Sequence, residues 1–380
     1  MNLFGIHLTV LAGPGLPVPL PQRALDALDT LEIALGTDEP SALQAQFKAG
    51  RGSTLAEIAD YPIMNQPGLR AGSRIVVLLT LGILPAVLFD GVITQTQLNP
   101  GQGQGDGTLA VTAADVRAVM DRVERSESYP AMPIAAIAAM VMARYAPYGL
   151  IPMILPPLVM DVDLPIDRVP TQAGTDLQFL RQLAERAGCI FTVTPGPAPM
   201  TSTGYFGPEP RIGLPQSALT VNMGPDSNVL SINFQNDATD AHAVTGDVQD
   251  RSTNRTVPVR TTPPLAVPLA TEPALANPVT AGERRYEARG GRSATVAIAE
   301  AQAQAERSAQ VLTAEGDLDG TRYGRVLQPR QLVGLRGCGR AHDGLYFVRE
   351  VKHQLKRGEY KQHFKLSREG LGTTTPVVLP

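Results

Sequence analysis

Tryptophan is absent from this chain of 380 residues, and charged residues make up only 18% of it. The formal net charge is −3, so the chain lacks the basic excess that would favour sequence-independent binding of nucleic acid. Glycine and proline are abundant by contrast, with 36 and 33 positions. This balance favours many turns and strands over a helical bundle. The length allows about two to four domains with substantial cores.

Cysteine and long apolar runs are also scarce. The two cysteines, Cys189 and Cys338, are far apart in the sequence, so we expect no disulfide framework and synthesis in a reducing compartment. The N-terminus lacks the basic and apolar regions of a signal peptide. The apolar runs at 75–84 and 134–141 are too short to span a membrane. We therefore expect a protein that is assembled in the cytoplasm and makes no direct membrane contact.

The clearest pattern is the alternation of side chains around a predicted hairpin turn at residues 356–359 (sequence KRGE). One face of the predicted strands is apolar and carries Val351, His353, Leu355, Tyr360, Phe364 and Leu366. The opposite face is basic and polar and carries Lys352, Gln354, Lys356, Lys361, His363 and Lys365. Such a pair of faces indicates an antiparallel sheet that is half buried. Similar strand patterns occur at 28–35, 74–81 and 86–97.

Helical spacing appears in the middle of the chain. Apolar residues from Val116 to Val123 predict a short helix that ends near Arg125, and a second helix is predicted from Ile134 to Tyr145. The clearest helix runs from Thr175, a plausible N-cap, to Gly188, which supplies the C-terminal stop. A strand is expected directly after it. Residues 294–312 regain helical character.

Three of these blocks carry a family resemblance. The closing block contains Asp343-Gly344-x-Tyr346-x-Val348 and then Arg357-Gly358-x-Tyr360-x-Gln362-x-Phe364-x-Leu366-x-Arg368-x-Gly370-Leu371-Gly372. The helix-to-strand block at 175–193 and the helical block at 115–150 add to it. Together they resemble the phage late-control protein D family, the baseplate hub proteins of contractile tails, which is related to the hub portion of type VI secretion spike proteins.

The resemblance implies a β-rich α+β fold with two tail-tube-like antiparallel β-barrel domains and a helical, α+β middle region. The expected divisions are a first barrel at 1–112, a middle domain at 113–215, strands contributing to the barrels at 216–250, an extended arm or flexible loop at 251–293, and a helix plus second barrel at 294–380. Tyr346, Val348, Phe364 and Leu366 are expected to help build the second barrel.

The function implied by the resemblance is geometric. Three chains with two tube-like barrels each would form a homotrimer with six similar modules, which could join a sixfold tail tube to a threefold central spike. The implied partners are the tail tube protein, the spike protein and baseplate wedge or tape-measure proteins, with no sequence-specific nucleic acid. The implied location is a virion tail baseplate, or a contractile injection particle, assembled in the host cytoplasm.

Six charged residues are candidates for contacts between subunits. Lys352, Lys356, Lys361 and Lys365 form the basic face, which is expected to meet the lumen, the spike or a wedge protein; a merely solvated face is the alternative. Asp176 and Arg186, on the clearest helix, are expected to be surface charges or intersubunit partners.

Enzymatic chemistry finds little support in the sequence. The motifs G-x-S-x-G, H-E-x-x-H and C-x-x-C are absent. Cys338 and His342 could form a metal pair with His353 or His363, but a single thiolate is available. The glycine-rich segment 97–107 lacks the G-K-[ST] ending of a phosphate loop and is expected to form a hairpin. We therefore expect a non-enzymatic protein without cofactor or metal. The alternatives are the hub of an injection system or a type VI-like spike complex, and a tail-associated cell-wall hydrolase.

Overall fold

The fold is taken from a computed structural model of the chain. It describes all residues except 1, 4, 38, 51–60, 83, 102–106, 157–168, 252, 262–266, 278, 280, 288–292, 376, 377, 379 and 380. Half of the glycine-rich segment in which the sequence predicts a hairpin therefore lies outside the described residues.

Strands dominate the first part of the chain, and helices enter in the middle. The first part contains β1 (Asn2–Leu3), β2 (Ile6–Gly13), β3 (Val18–Pro19), α1 (Gln22–Ala27), β4 (Leu28–Gly36), β5 (Ala42–Lys48), β6 (Arg74–Leu81), β7 (Leu84–Asn99) and β8 (Thr108–Ala114). The middle part contains α2 (Val116–Met120), β9 (Glu124–Ser128), α3 (Ile134–Ala143), β10 (Leu150–Ile154), β11 (Thr171–Thr175), α4 (Asp176–Arg186), β12 (Ile190–Pro195) and β13 (Ser202–Gly207).

The last part returns to strands. It contains β14 (Gln216–Thr220), β15 (Val229–Asn236), β16 (His242–Gln249), β17 (Thr256–Arg260), β18 (Glu272–Pro273), β19 (Gly282–Arg285), α5 (Ala294–Ser308), β20 (Leu312–Asp319), α6 (Gly320–Tyr323), β21 (Leu332–Arg336), β22 (Gly344–Lys356), β23 (Glu359–Arg368) and β24 (Gly370–Leu371). Short 3-10 turns occur at Pro62–Asn65, Pro67–Leu69, Ala146–Tyr148, Gly224–Asp226, Ala238–Asp240 and Ala274–Ala276.

One large sheet joins the two ends of the chain. Its strand order is β1-β2-β6-β7-β8-β5-β4-β22-β23-β20-β15, with β3 beside β2 and with β21 and β14 continuing from β22. Strand β22 makes the junction, because its first part pairs with β21 and its second part pairs with β4. Within the described residues no pairing connects β1 to β15, so the main path of the sheet is open and β15 is one of its edge strands.

The sheet buries one face over two hydrophobic cores. Alternation places Leu31, Ile33 and Phe47 in the first core. The second core contains the four residues expected to build the second barrel, Tyr346, Val348, Phe364 and Leu366. Strands β22 and β23 serve both cores, since Leu355 and Tyr360, beside their turn, pack into the first.

The middle region confirms the clearest helix predicted from the sequence. Thr175 is the N-cap of α4 and forms a capping box with Gln178. Gly188 follows the helix with φ of 63°, a left-handed conformation that glycine adopts at low cost. Helices α3 and α4 share one core with strands β12 and β13. The predicted helix ending near Arg125 is too long, because α2 ends at Met120 and the chain then forms β9, which pairs with β11.

The segment expected to be an extended arm is partly folded. Strands β17 and β19 lie on the two sides of β16, and α5 packs against this small sheet. The expectation of an extended arm or flexible loop at 251–293 is therefore wrong for 256–260 and 282–286. The packing succeeds with few large residues because alanines of α5, such as Ala301, approach Val259 and Tyr286 closely. The β-rich α+β class is confirmed.

Candidate assembly face

The exposed face of the large sheet is charged over β4, β22, β23 and β20. We call this surface the charge ladder. Its residues are Glu32, Glu315, Asp317, Lys352, Gln354, Lys356, Glu359, Lys361, His363 and Lys365. All four lysines predicted to share a face lie on it, as the alternation requires.

Two of these lysines bind carboxylates of neighbouring strands. The Lys352 Nζ lies 2.7 Å from Glu32 Oε2 on β4, and the Lys365 Nζ lies 2.7 Å from Glu315 Oε1 on β20. Hydrogen bonds from these ammonium groups lower the pKa of Glu32 and of Glu315. Because the side chains are partly exposed to solvent, each pair contributes less than about 1 kcal/mol.

The remaining charges of the ladder are also mostly balanced. The Lys361 Nζ lies 2.6 Å from Glu359 Oε1, and this contact raises the pKa of Lys361. His363 Nδ1 lies 3.1 Å from Asp317 Oδ1. Lys356 is exposed, and no carboxylate of the described residues lies within ion-pair distance of it. The surface predicted to be basic is therefore close to neutral.

The other half of this face is polar and largely uncharged. On β5, β7 and β8 the outward positions include Gln44, which is opposite Thr112, and Gln46 and Gln97, which lie on the two sides of Ala110. Lys48, at the border, pairs with Asp29 at 3.3 Å. The complete face thus combines amides and hydroxyls with paired charges.

Asp176 lies elsewhere and is not a surface charge. Its side chain is fully buried at the first position of α4, where it accepts hydrogen bonds from Tyr145 Oη at 2.8 Å and Gln172 Nε2 at 2.6 Å. Arg144 and Arg125 approach it at 3.2 and 3.4 Å. The prediction that Asp176 is a surface charge is therefore wrong, because residues distant in sequence enclose it. The alternative, a contact with another subunit, stays a prediction.

Arg186 is half-buried in the last turn of the same helix. A cation at this position interacts favourably with the helix dipole. A contact between Arg186 and another subunit stays a prediction.

The residues considered for a metal site are not brought together. His353 is fully buried, whereas His363 lies on the exposed face of the neighbouring strand, so the two imidazoles are on opposite sides of the sheet. In the described ranges of the chain, no group of three His, Cys, Asp or Glu residues is close enough to hold a metal ion.

The sequence interpretation missed the acidic half of the ladder. Glu315 and Asp317 alternate with Leu312, Ala314 and Leu318 along β20, and this period of two was a usable signal. Their position opposite β23 depends on strand pairing that the sequence does not show. Across the helices that the structure describes, none is long and apolar enough to cross a membrane.

Comparisons with known proteins show the fold. No family model and no curated protein matches the chain. A tail protein from Neisseria meningitidis MC58 is similar with a TM-score of 0.65 and 14% identity, covering 97% of this chain and 98% of that one. The 43 kDa tail protein of prophage MuSo2 from Shewanella oneidensis is similar with a TM-score of 0.66 and 12% identity, covering 96% and 98%.

A third similar structure comes from a secretion system. It is an Escherichia coli component of the type VI secretion system, with a TM-score of 0.55 and 12% identity, covering 93% of this chain and 77% of that one. At these identities the likeness concerns the fold alone. The chain therefore has the fold of phage tail proteins and of a type VI secretion component, which confirms at the level of fold the resemblance in its sequence.

Proposed function

We propose that this protein is a structural hub subunit of a contractile tail baseplate, without enzymatic activity. In this proposal three chains assemble into a pseudo-sixfold ring that joins the sixfold tail tube to the threefold central spike. Two tail-tube-like modules in each chain give the ring six similar positions. The shared fold with phage tail proteins supports the role.

The observation that carries the proposal is the junction between β4 and β22. Seven consecutive residues of β22, from Glu350 to Lys356, pair with β4 from Gly36 to Thr30. The sheets of the two modules are thereby fused in one chain, and their relative orientation is fixed by backbone pairing. A ring of such pairs would have threefold chemical symmetry and nearly sixfold shape.

The free end of the sheet provides a means of assembly. β15 pairs with β20 on one side. The Asp237 N–H donates to Val311 O, so the backbone groups of the odd-numbered residues face β20 and those of the even-numbered residues face away from it. The N–H groups of Ile232 and Phe234 then point away from β20, and no backbone partner for them is found among the described residues. Exposed edges of this kind pair readily with another chain. We propose that β15 meets a neighbouring protomer in the ring.

The first experiment is the solution mass of the full chain by light scattering, followed by two-dimensional averaging of electron micrographs. A trimeric ring with a pseudo-sixfold outline is expected. In Ile232→Pro the outward N–H is lost while the bonds to β20 are kept, so we expect monomers that remain folded. Ile232→Thr retains the N–H and the branched shape and serves as the matched control. Trimers of Ile232→Pro would contradict the role of this edge.

The charge ladder is the second element of the proposal. We propose that Lys352, Lys356, Lys361 and Lys365 face the lumen, the spike or a wedge protein. In Lys365→Glu the neighbouring Glu315 loses its cation, whereas the exchange Lys365→Glu with Glu315→Lys keeps an ion pair and reverses its direction. If a partner binds the charge ladder, we expect both variants to impair particle assembly. Normal assembly of the exchange variant would show that the pair acts within the chain.

A contractile injection device is the second candidate. The fold is shared with a component of the type VI secretion system, and the same ring could carry a spike in either particle. Mass spectrometry of particles purified from the source cells distinguishes the two, because capsid proteins accompany the hub only in a virion. In both cases the protein would reside in an assembled particle with the tube and spike proteins as partners.

A further inference from the structure

A cleft of about 410 Å³ lies where three distant parts of the chain meet. Its walls are residues 85–87 of β7, residues 194–197 with Thr203 of the β12–β13 hairpin, and residues 328–331 before β21. A volume of this size is within the range of sites that hold a small molecule or the side chain of a partner. The cleft is separate from the charge ladder, and its existence does not depend on the proposed hub role.

Among the described residues that line the cleft, only Arg330 is charged. Its guanidinium carbon lies 4.5 Å from the centroid of the Tyr205 ring, so one face of the cation is covered. Nη1 lies 3.5 Å from Thr194 Oγ1, at the limit of a hydrogen bond. Nε is buried and has no hydrogen-bond partner, and no carboxylate pairs with this guanidinium within the part of the chain that is described.

The backbone holds this arginine in a costly conformation. Its φ angle is 64°, in the left-handed region that residues other than glycine rarely adopt. The Arg330 N–H donates to Val348 O at 2.8 Å, and the Val348 N–H donates to Gln331 O at 3.0 Å. Retained strain of this kind is found at binding and active sites, where the surrounding structure enforces it.

The electrostatics also favour an anion. Burial, with a smaller contribution from repulsion by Arg117, lowers the pKa of Arg330 to about 10. The guanidinium therefore stays charged at neutral pH. A partly buried cation without a counter-ion is costly, and buried charges in proteins are normally paired. A carboxylate entering the cleft would supply the missing negative charge and a hydrogen-bond acceptor for the guanidinium.

We propose that this cleft binds a carboxylate, supplied by a Glu or Asp side chain on an extended segment of a partner protein. The planar fork of a guanidinium matches the two oxygens of a carboxylate. A phosphate dianion fits less well, because the walls offer a single cation. Four prolines, at 85, 195, 197 and 329, make parts of the walls rigid and apolar, and Thr194, Thr203, Gln328 and Gln331 add polar groups between them. Such mixed walls suit the chain on either side of the acidic residue.

The test uses the full chain and N-acetylglutamate amide as the probe. Binding is followed in two-dimensional NMR spectra through the Nε–Hε signal of Arg330, which is assigned by its loss in Arg330→Lys. A saturable shift of this signal is expected with N-acetylglutamate amide and no shift with N-acetylglutamine amide, which has the same shape without the charge. No shift with either probe, or equal shifts with both, would overturn the proposal. An equal response to inorganic phosphate would also overturn it, because the site would then bind anions without selecting carboxylate.

Two variants make the test independent of any single substitution. Arg330→Gln removes the charge and should weaken binding of the probe at least about tenfold. Thr194→Asp places a carboxylate next to the guanidinium from within the chain. This variant should abolish binding of the probe and raise the melting temperature, because the internal carboxylate occupies the position. Unchanged probe affinity in Thr194→Asp, measured by calorimetry, would refute the assignment even if Arg330→Gln failed to fold.

Discussion

His353 is a buried imidazole in β22, and it allows a sharp test of how the stability of the protein depends on pH. It is fully buried in β22, its Nδ1 lies 3.0 Å from the Tyr360 hydroxyl, and its Nε2 has no hydrogen-bond partner within the described residues. Burial lowers the pKa of His353 to about 3. The folded protein therefore keeps this imidazole neutral over the whole range in which an exposed histidine gains a proton.

The pH dependence of stability follows from this difference. Between pH 6.5 and pH 3 the unfolded state binds more protons at His353 than the folded state, so the free energy of unfolding falls as the pH falls. With a pKa of about 6.5 in the unfolded chain, the loss between pH 7 and pH 5 is about 2 kcal/mol. This loss depends little on the exact pKa of His353 in the folded protein, because that pKa lies well below pH 5.

The variant His353→Gln isolates this contribution. Glutamine can keep a hydrogen bond to Tyr360 and cannot gain a proton at pH 5. We expect the variant to be less stable than the wild type at pH 7 but to lose about 2 kcal/mol less on transfer to pH 5. His363→Gln is the matched control, since it removes an exposed imidazole from the adjacent strand together with its exposed contact to Asp317.

Hydrogen exchange of the β22–β23 hairpin is the suitable measurement. A chain with several cores need not unfold in one step, so a local opening free energy is better defined than a global one. Exchange would be recorded at pH 5 and pH 7 for the wild type and both variants, with correction for the intrinsic rates. An equal loss of protection in the wild type and in His353→Gln would refute the reasoning that the buried imidazole causes it.

Three further substitutions test buried contacts, each by the local opening free energy that hydrogen exchange gives for the surrounding strands, compared with the wild type. Asp115→Asn should cost about 3–5 kcal/mol, because it leaves the fully buried Arg117 guanidinium, now 2.6 Å from the Asp115 carboxylate, without a counter-ion; a loss below about 1 kcal/mol would contradict this. Arg368→Met should cost about 3 kcal/mol, since three backbone carbonyls lose their guanidinium donor. Gly320→Ala should cost about 2 kcal/mol, because its Cβ would lie 2.2 Å from the Tyr360 ring; wild-type stability would show that the ring can move.

Local structure was predictable from the sequence wherever one pattern decided it. The hairpin of β22 and β23 follows from strict alternation and a turn containing Gly358, whose φ angle is 82°. The helix from Asp176 follows from its N-cap and its apolar spacing. These signals depend only on residues close together in the sequence, so they can be recognised without knowing which distant strands or helices pack against them.

The errors have a common physical origin in long-range pairing. An acidic residue in the first turn of a helix is normally exposed, yet Asp176 is enclosed by Arg125 and Arg144 from other elements. The four lysines form a basic stripe in sequence, but Glu32 and Glu315, which neutralise two of them, arrive from strands far away along the chain. The Arg330 cleft could not be foreseen, because its walls come from three separate segments.

Strand β22 connects the two hydrophobic cores through one continuous stretch of sheet. A flexible linker would let each module reorient, whereas β22 continues from the second core into the pairing with β4 and carries Leu355 into the first core. Rotation of one module against the other would break the backbone pairing between β4 and β22 and expose both cores at once. The angle between the modules is therefore set by the twist of a single sheet. In the ring that we propose, each subunit would occupy two adjacent places, and the continuity of β22 would keep the angle between them fixed without any contact from a partner.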